Sequence, residues 1–577
     1  MKSQIKLRRR EADETAVLPD DLPPLLRRLY ASRGVRGVED LERSVKGLLP
    51  WQQLSGIEKA VETLYNAFRE GARIIVVGDF DADGATSTAL SVLGLRSLGY
   101  DNVGYLVPNR FEDGYGLSPE VVDQAHARGA QLIVTVDNGI SSHSGVDHAS
   151  ALGIPVVVTD HHLPGDTLPA AVAIVNPNLR DCDFPSKSLA GVGVAFYLML
   201  ALRTFLRDKG WFAERDVTPP NLAELLDLVA LGTVADVVPL DTNNRILTWQ
   251  GLSRIRAGVC RPGIRALLEV ANRDRQKLAA SDLGFALGPR LNAAGRLDDM
   301  SVGVALLLCD NIAEARVLAN ELDALNQTRK EIEQGMQAEA LALCEKLERS
   351  REALPGGLAM YHPEWHQGVV GILASRIKER FHRPVIAFAP AGDGTLKGSG
   401  RSVQGLHMRD ALERLDTLYP DMMLKFGGHA MAAGLSLEES QFTLFQQRFG
   451  ELATEWLDPA LLQGEVVSDG PLTPAEMTME VAQLLRDAGP WGQMFPEPLF
   501  DGRFRLLQQR LVGERHLKVM VEPVGGGPLL DGIAFNVDTA CWPDNGVREV
   551  ELAYRLDINE FRGNTSLQLI IDHLWPI

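Results

Sequence analysis

Arg73–Gly84 reads RIIVVGDFDADG, a short apolar run that ends in three aspartates and a glycine. The residues that follow, ATSTALSVLGLRSLG, have a composition typical of a helix, so the segment predicts a strand, a loop and a helix. Two more apolar runs, QLIVTVDNG (131–139) and IPVVVTDHH (154–162), also end in acidic or polar residues. Short apolar strands separated by helices indicate a parallel sheet that is buried on both faces.

Acidic residues stand where these predicted strands end, which is the edge of an open α/β sheet that binds ligands. Asp79, Asp81 and Asp83 alternate along the chain, and such i, i+2 pairs lie on one face of extended backbone. Carboxylates held this close are costly unless a cation lies between them. A capped helix start is the simpler interpretation. An EF-hand is excluded, because its twelfth position is Leu90 instead of glutamate.

Further acids and two histidines occupy equivalent places. Asp137 ends the second run, Asp160-His161-His162 ends the third, and Asp236 lies in the apolar stretch LGTVADVVPL (231–240). Each alone is more often structural, as when an aspartate caps the turn after a strand. Together they offer hard oxygen ligands and imidazoles, which suit Mn²⁺ or Mg²⁺. Two such ions are the usual arrangement for hydrolysing phosphate esters.

Length and composition set broad limits on the protein. A chain of 577 residues predicts several domains. The net charge of −18 argues against a general polyanion binder, although a local basic channel remains compatible with it. Its five scattered cysteines predict neither a thiolate zinc site nor a disulfide framework. Because we find no secretory signal and no membrane-spanning apolar window, we expect a cytoplasmic protein.

The motifs resemble those of a known family. VVGDFDADG, VTVDNG, VTDHHLP and LGTVADVVPL resemble the four motifs of the DHH phosphoesterase superfamily, and WHQGVVGILASR, KGSGRS and KFGGHAMAAG resemble its companion DHHA1 domain. VPNRFEDGYGLS (107–118) and GPRLNAAGRL (288–297) narrow the similarity to the RecJ family, bacterial single-strand-specific 5′→3′ DNA exonucleases. The resemblance covers residues 20–577, and seven or more motifs in the same order make it specific.

The predicted fold class is α/β. A parallel-sheet DHH domain is joined by a long helix to a smaller α/β DHHA1 domain, and a C-terminal all-β module of the OB kind follows. The predicted boundaries are 1–55 for an N-terminal segment, 56–310 for the DHH domain, 311–353 for the connecting helix, 354–463 for the DHHA1 domain and 464–577 for the OB-like module.

The resemblance assigns roles to the acidic residues. It implies that the metal ligands are Asp81, Asp83, Asp137, His161 and Asp236, with Asp137 as the bridging carboxylate. It implies ligand or orienting roles for Asp79 and Asp160, and a phosphate contact for His162. One position departs from the family pattern, because many members have a histidine where this chain has Val77. How the first metal site is completed is therefore left open.

The substrate side needs groups that bind a terminal phosphate, for which arginine forks and backbone N–H groups are suited. The candidates are Arg110, Arg290, Arg296, Arg376, Ser399, Arg401, Gly428 and His429. Any single arginine is more often part of a surface ion pair, and the sequence does not choose between Arg290 and Arg296. The resemblance places the 5′ phosphate among Arg110, Ser399, Arg401 and His429. Phe111, Tyr115 and Trp365 are candidates for base stacking or, more simply, for the core.

The resemblance implies two-metal hydrolysis of single-stranded DNA with release of 5′-mononucleotides, in recombination and repair. Its implied cofactors are two Mg²⁺ or Mn²⁺ ions, and its implied partners are single-stranded-DNA-binding protein and a helicase. We also expect the protein to be a bacterial monomer that does not bind membranes. A DHH-type phosphodiesterase acting on oligonucleotides or cyclic dinucleotides is the first alternative, but the β module and the length favour a polymer. A non-catalytic scaffold is the second, although carboxylates repel DNA unless they carry metal.

Overall fold

The computed structural model describes residues 5–349, 354–561 and 563–577. These residues form two compact units. The first unit comprises residues 9–323 and 467–577, and the second comprises residues 324–466 with the described chain up to Arg8. Within the described ranges, no helix is both long enough and apolar enough to cross a membrane.

The first unit contains a five-stranded sheet in the order β3-β2-β4-β5-β6, in which every neighbouring pair is parallel. After β1 (Lys6–Arg9), which lies outside this sheet, its strands are β2 (Ile74–Val77), β3 (Val103–Leu106), β4 (Leu132–Val136), β5 (Val156–Thr159) and β6 (Ala173–Val175). Every residue of β2, β4 and β5 is buried, as expected of a parallel sheet covered on both faces. The predicted parallel sheet is confirmed.

Helices make up most of the rest of this domain. They are α1 (Pro24–Ala31), α2 (Ile57–Glu70), α3 (Ala82–Ser97), α4 (Pro119–Ala127), α5 (His143–Ala151), α6 (Gly191–Asp208), α7 (Trp211–Glu214), α8 (Leu226–Ala235), α9 (Thr242–Ala257), α10 (Pro262–Val270), α11 (Ala280–Asp282), a π-helix (Leu283–Leu287), α12 (Gly288–Leu297) and α13 (Ser301–Leu308). Helices α3, α6 and α8 pack against one another and are buried along most of their length. Their ends therefore hold side chains in fixed positions.

A single long helix, α14 (Ile312–Arg349), occupies 38 residues of the segment predicted to connect two domains. Gly335 lies inside it without interrupting it, and no proline is present. Its residues up to Asp323 belong to the first unit and the remainder belongs to the second.

The second unit contains a five-stranded sheet in the order β10-β11-β9-β8-β7, in which only β7 and β8 are parallel. Its elements are β7 (Leu358–Tyr361), α15 (Val370–Phe381), β8 (Val385–Pro390), β9 (Thr395–Arg401), α16 (Met408–Leu418), β10 (Lys425–Gly428), β11 (Ala432–Glu438) and α17 (Phe442–Trp456). The rings of Phe388, Phe445 and Phe449 meet in its core. This is the smaller α/β domain that the sequence predicts.

The C-terminal region of the first unit is a closed barrel in the strand order β13-β14-β15-β17-β16. After β12 (Glu465–Ser468) and α18 (Met479–Asp487), its strands are β13 (Phe500–Val512), β14 (His516–Pro523), β15 (Leu530–Ala534), β16 (Glu549–Phe561) and β17 (Asn564–Pro576). Phe500, Phe504 and Tyr554 fill a core that also includes Leu29 and Tyr30 of α1. The predicted all-β module is confirmed, and it shares its core with the N-terminal segment.

Candidate metal centre

The loop between β2 and α3 carries the first three predicted acids. Asp79 accepts a hydrogen bond from the backbone N–H of Phe80 at 2.7 Å, and Asp81 caps α3. Asp83, in the first turn of α3, accepts from the N–H groups of Gly191 at 2.6 Å and Val192 at 2.9 Å. The start of α6 therefore fixes the Asp83 carboxylate inside the protein.

Asp137 follows β4 in a backbone conformation that is rare for a residue with a side chain. Its φ is 61°, and its side chain is buried. Holding a non-glycine residue in this left-handed region costs about 1–3 kcal/mol, and such residues cluster at functional sites. A Cβ atom on Gly191 would lie 2.5 Å from the Asp137 Cβ, so glycine is required for α6 to start here.

Asp160 orients the two histidines that follow β5. Its Oδ1 accepts from the backbone N–H groups of His161 at 2.7 Å and His162 at 3.1 Å, and lies 2.8 Å from His162 Nδ1. Its Oδ2 accepts from the N–H of Ile140 at 2.9 Å. Both carboxylate oxygens are thus engaged within the protein, which favours the orienting role over the ligand role for Asp160.

The acids and His161 converge on one place. His161 Nε2 lies 3.1 Å from Asp137 Oδ1, 3.4 Å from Asp236 Oδ2 and 3.9 Å from Asp83 Oδ2. Of the four groups whose ligand atoms lie within 4.8 Å of one another in the described chain, three lie at this place: Asp79-Asp81-Asp137, Asp83-His161-Asp236 and Asp137-His161-His162. Within the described chain, Asp137 Oδ1, His161 Nε2 and Asp236 Oδ2 are buried and have no hydrogen-bond partner. This donor set fits divalent cations, because a cation would satisfy all three atoms.

The electrostatics of the cluster are those of crowded, buried acids. Burial, followed by the nearby carboxylates, raises the pKa of Asp79 to about 8 and that of Asp83 to about 7, and raises the pKa values of Asp137 and Asp236 well above their ordinary value. Burial lowers the pKa of His161 to about 4, so its imidazole is neutral at pH 7 and able to coordinate metal. The missing positive charge is what a metal ion would supply.

His162 differs from His161. Burial would lower the pKa of His162, but its hydrogen bond and ion pair with Asp160 outweigh burial and raise the pKa to about 9. Burial would also raise the pKa of Asp160, yet the contact with His162 lowers it. The pair therefore carries a positive imidazolium and a negative carboxylate.

Val77 supplies no ligand. It is fully buried in β2 and belongs to the apolar core beneath the sheet, and its carbonyl accepts from the Asn138 side chain at 3.1 Å. The group of candidate metal ligands next to this strand therefore consists of Asp79, Asp81 and Asp137, and strand β2 adds no imidazole to it.

Arg110 is held beside the cluster. Its Nε donates to the carbonyl of Gly295 at 2.9 Å, and its guanidinium lies 3.9 Å from the centre of the Phe80 ring. Burial lowers the pKa of Arg110, whereas the charges of Asp79 and Asp81 act in the opposite direction. Arg110 is thus a cation within the electrostatic reach of the acids.

The two arginines of α12 lie in different settings. Arg290 donates to Asp323 at 2.8 Å and to the carbonyl of Ala286 at 2.6 Å. Arg296 lies in the last turn of α12, directly after Gly295, and a Cβ on Gly295 would lie only 1.7 Å from the Phe80 carbonyl. The Arg296 end of α12 therefore contacts the first acidic loop, whereas Arg290 is engaged with α14.

The remaining substrate candidates lie in the second unit. Arg401 Nη1 donates to Ser399 Oγ at 3.0 Å on the same strand. A Cβ on Gly371, in the first turn of α15, would lie 2.9 Å from Arg401 Nη2 and 3.0 Å from Ser399 Oγ. Burial lowers the pKa of Arg401, and no ion-pair partner is found for it among the described residues. A partly buried guanidinium and a hydroxyl thus face the start of a helix.

Gly428 is the last residue of β10, and His429 follows it in the turn to β11. Gly428 has a φ of 141°, and a Cβ there would lie 2.5 Å from the Cα of Ala433. The His429 N–H donates to the carbonyl of Ala432 at 2.8 Å, and Ala432 is paired across the sheet with Arg401. The hairpin turn is therefore close to the Arg401 end of β9.

The sequence predicts a phosphate contact for Arg376, but the structure shows its guanidinium in ion pairs. Its Nε donates to Glu333 at 3.0 Å, and its Nη1 lies 3.6 Å from Glu379. Glu333 in turn pairs with Arg329 on α14. This geometry favours a structural role for Arg376.

The aromatic candidates divide. Trp365 is buried, and its indole N–H donates to Glu339 at 2.8 Å, as expected of a core residue. Tyr115 is 53% exposed, and its hydroxyl lies 3.4 Å from His162 Nδ1.

Sequence reasoning assigned no role to Asn292, whose side chain accepts a hydrogen bond from the N–H of Ala82 at the start of α3. The only sequence feature that pointed to Asn292 as a functional residue is its position inside the motif GPRLNAAGRL.

Asp160→Asn is expected to lower kcat/KM for hydrolysis about 10- to 100-fold, the usual effect of losing a group that orients a metal-site residue. The amide removes the charge that keeps His162 protonated and places an N–H against one of its backbone donors. Steady-state assays of the hydrolysis that the sequence motifs imply would measure the loss. Asp166→Asn, an exposed acid beyond the same strand, is the matched control. Equal kcat/KM in Asp160→Asn and wild type would contradict the orienting role.

Three family models match consecutive parts of the chain. The DHH family N-terminal domain matches residues 73–233, the DHHA1 domain matches residues 355–455, and the RecJ OB domain matches residues 468–573. The metal cluster lies within or just beyond the first match, and the Ser399–Arg401 pair lies within the second.

Full-length relatives are similar to this chain throughout. The single-stranded-DNA-specific exonuclease RecJ of Escherichia coli is 90% identical over 577 residues, covering 100% of both chains. The RecJ of Bacillus subtilis is 32% identical over 99% of this chain and 70% of its own length.

A solved relative has the same fold. The crystal structure of RecJ in complex with Mn²⁺ from Thermus thermophilus matches with a TM-score of 0.78 and 34% identity, over 96% of this chain and 76% of that chain. The Mg²⁺ complex from the same organism matches with a TM-score of 0.73 and 32% identity, over 96% and 75%. The chain belongs to the RecJ family of the DHH phosphoesterases, whose named relatives are single-stranded-DNA-specific exonucleases.

Proposed function

We propose that this chain hydrolyses single-stranded DNA from the 5′ end, one phosphodiester bond at a time, and releases 5′-mononucleotides. The observation that carries the proposal is the convergence of Asp137 Oδ1, His161 Nε2 and Asp236 Oδ2, three buried atoms without a hydrogen-bond partner. Each such atom costs about 1–3 kcal/mol when left unsatisfied, so their convergence in one place needs an explanation. Two divalent ions provide it, and relatives solved with Mn²⁺ and with Mg²⁺ support the choice of ion.

The ligand groups divide between two ions. Asp79 and Asp81 would hold one ion, and Asp83, His161 and Asp236 would hold the other. Asp137 would be shared between the two ions. When bound, such a pair supplies an activated water and stabilises charge on the leaving oxygen.

The protein's own groups position the phosphodiester. Asp160 holds His162 through Nδ1, which directs the other ring nitrogen of this imidazolium to donate to a phosphate oxygen. Gly295 fixes Arg110 through Nε, so the charge of its guanidinium lies beside Asp79 and Asp81. Of the two arginines in α12, we assign a phosphate contact to Arg296, because its neighbour Gly295 touches both Phe80 and Arg110.

We assign recognition of the 5′ phosphate to the second unit. Ser399, Arg401 and the first turn of α15 offer a hydroxyl, a partly buried guanidinium and the positive end of a helix dipole. Gly428 and His429 add the adjacent hairpin turn. A phosphate there would give Arg401 the anionic partner that burial calls for.

The setting of the reaction follows from the substrate. A chain with a net charge of −18 gains little from long-range attraction to DNA, which favours delivery by partners. We propose single-stranded-DNA-binding protein and a strand-separating helicase as these partners, during recombination and repair in the bacterial cytoplasm. One copy supplies the whole ligand set, which supports action as a monomer.

Incubation with Mn²⁺ and single-stranded oligonucleotides labelled at either end tests the proposal. With a 5′ label, we expect labelled mononucleotide as the first product; with a 3′ label, we expect a ladder that shortens with time. Duplex DNA with blunt ends should remain intact, and EDTA should stop the reaction. Cleavage of dinucleotides or cyclic dinucleotides without attack on long strands would instead identify a short-substrate phosphodiesterase.

A further inference from the structure

Phe285 is an aromatic side chain that the fold leaves in solvent. It is 87% exposed, whereas Leu283 and Leu287 of the same π-helix are fully buried. The ring therefore projects outward from a helical turn whose other apolar residues belong to the core. A contiguous patch of exposed apolar side chains marks a binding surface, whereas one such side chain alone does not.

The π-helix packs against the last turn of α8, the helix that ends at Asp236. A Cβ on Gly284 would lie 3.2 Å from Val234 Cγ1, and one on Gly288 would lie 3.1 Å from the Cβ of Ala235. Phe285 is thus carried on a turn that touches the residues directly before a proposed metal ligand. π-Helical turns inside helices occur frequently at functional sites.

Val237 is a second apolar side chain at the same place. It follows Asp236, is 62% exposed and has a φ of 61°, a conformation that a β-branched residue rarely adopts. Val237 and Phe285 line one crevice of about 720 Å³. A strained, exposed valine beside a candidate metal ligand is therefore part of the same surface as the phenylalanine.

The charges that line this crevice are mostly neutralised. Its ion pairs are Arg273–Asp282 at 3.1 Å, Arg486–Asp557 at 3.2 Å, Arg555–Glu497 at 3.0 Å and Lys277–Glu560. Cations that are already paired are poor ligands for a phosphodiester backbone. The surface beside Asp236 is suited to an uncharged, flat group, and in single-stranded DNA that group is a base.

We propose that Phe285, supported by Val237, stacks on a base of the strand being cut, close to the phosphate that lies at the metal cluster. This inference rests on the proposed function. Stacking is available to any base, because each has a π-face, so the contact would hold the strand without reading its sequence. A base paired in a duplex is covered by its neighbours, so the same contact would favour an unpaired strand.

The test combines a protein variant with a DNA lesion. Single-turnover hydrolysis in Mn²⁺ would be measured on 5′-phosphorylated oligonucleotides that carry one abasic residue at successive positions from the 5′ end. We expect Phe285→Ala to lower the rate at subsaturating enzyme about tenfold on intact DNA, and Phe285→Trp to retain it. At one position, the abasic residue should slow hydrolysis by the wild type by a similar factor. At that position, Phe285→Ala should hydrolyse abasic and intact DNA at the same rate. Val317→Ala, an exposed apolar residue on α14, is the control.

The outcomes separate this inference from the proposed function. Absence of nuclease activity in the wild type would overturn the proposed function itself. If the wild type is active and Phe285→Ala hydrolyses DNA at the same rate, the stacking role alone is wrong. The same holds if the rate reductions caused by the variant and by the abasic residue multiply at every position. Mn²⁺ binding measured by calorimetry should be equal in wild type and Phe285→Ala, and a lost ion in the variant would mean that Phe285 acts through Asp236 instead.

Discussion

Asp137→Asn should lower kcat for hydrolysis of single-stranded DNA by at least about 10³-fold, which corresponds to about 4 kcal/mol of transition-state stabilisation. Asp137 is the carboxylate common to two of the three ligand groups, and its Oδ1 lies 3.1 Å from His161 Nε2. An amide offers one neutral oxygen in place of a charged pair, so it bridges two cations poorly. Asparagine tolerates the φ of 61° at this position, so the backbone is preserved.

The stability of the same variant should change in the opposite direction. Without metal, burial and then the charges of Asp83, Asp81 and Asp236 raise the pKa of Asp137, so at pH 7, above the ordinary pKa of a carboxyl group, this side chain costs stability that an uncharged amide does not. In EDTA we therefore expect Asp137→Asn to melt at a higher temperature than the wild type. Added Mn²⁺ at a hundredfold excess over its Kd should raise the free energy of unfolding of the wild type by about 2.7 kcal/mol, and its melting temperature accordingly. The melting temperature of the variant should rise less.

Asp147→Asn, an exposed acid on α5, removes the same charge outside the cluster and should change neither quantity. Differential scanning fluorimetry and release of labelled nucleotide would measure both. Full activity in Asp137→Asn, or equal stabilisation of both proteins by Mn²⁺, would refute the shared-ligand assignment.

The acidic cluster could be predicted from sequence because it depends on a regular element. Parallel strands end at one edge of a sheet, so Asp79, Asp137 and His161 are brought together once the strands pair in the order seen. Asp236 is different, because it ends a helix and not a strand. Only the motif that contains it linked it to the others.

The arginines could not be sorted in the same way. Whether a guanidinium faces substrate or an acid depends on residues far away in the sequence. Arg290 pairs with Asp323, 33 positions later, and Arg376 pairs with Glu333, 43 positions earlier. Both acids lie on α14, whose polar residues give no pattern that identifies their partners. The shared core of α1 and the barrel was hidden for the same reason.

These residues illustrate a common trade of stability for function. Asp137 is held in a strained conformation among like charges, and Arg401 is a partly buried cation without an acidic partner in the described chain. Each is unfavourable in the free protein and becomes favourable only with a ligand of opposite charge. Substitutions that remove such a charge are therefore expected to stabilise the free protein while they weaken its function.

Arg401→Gln is the second substitution for which we expect a large effect, about 100-fold in kcat/KM on 5′-phosphorylated single-stranded DNA. A charge-assisted contact to phosphate contributes about 1.5–3 kcal/mol, and the bond to Ser399 would hold Arg401 for the contact that we propose. On DNA with a 5′ hydroxyl the loss should be much smaller, because the wild type has no terminal phosphate to bind there. The variant should melt at the same temperature as the wild type or higher, since it no longer holds a partly buried guanidinium that has no acidic partner in the described chain.

The ratio of kcat/KM for the two DNA ends separates recognition of the phosphate from a general loss of activity. Lys397→Gln removes an exposed cation from the same strand, β9, and should leave this ratio unchanged. Arg401→Lys should recover part of the preference, because it restores the charge but not the paired donors of the guanidinium. If Arg401→Gln slows hydrolysis of both DNA ends equally, the anion bound by Arg401 is an internal phosphate of the strand, and the assignment of the 5′ phosphate to the second unit is wrong.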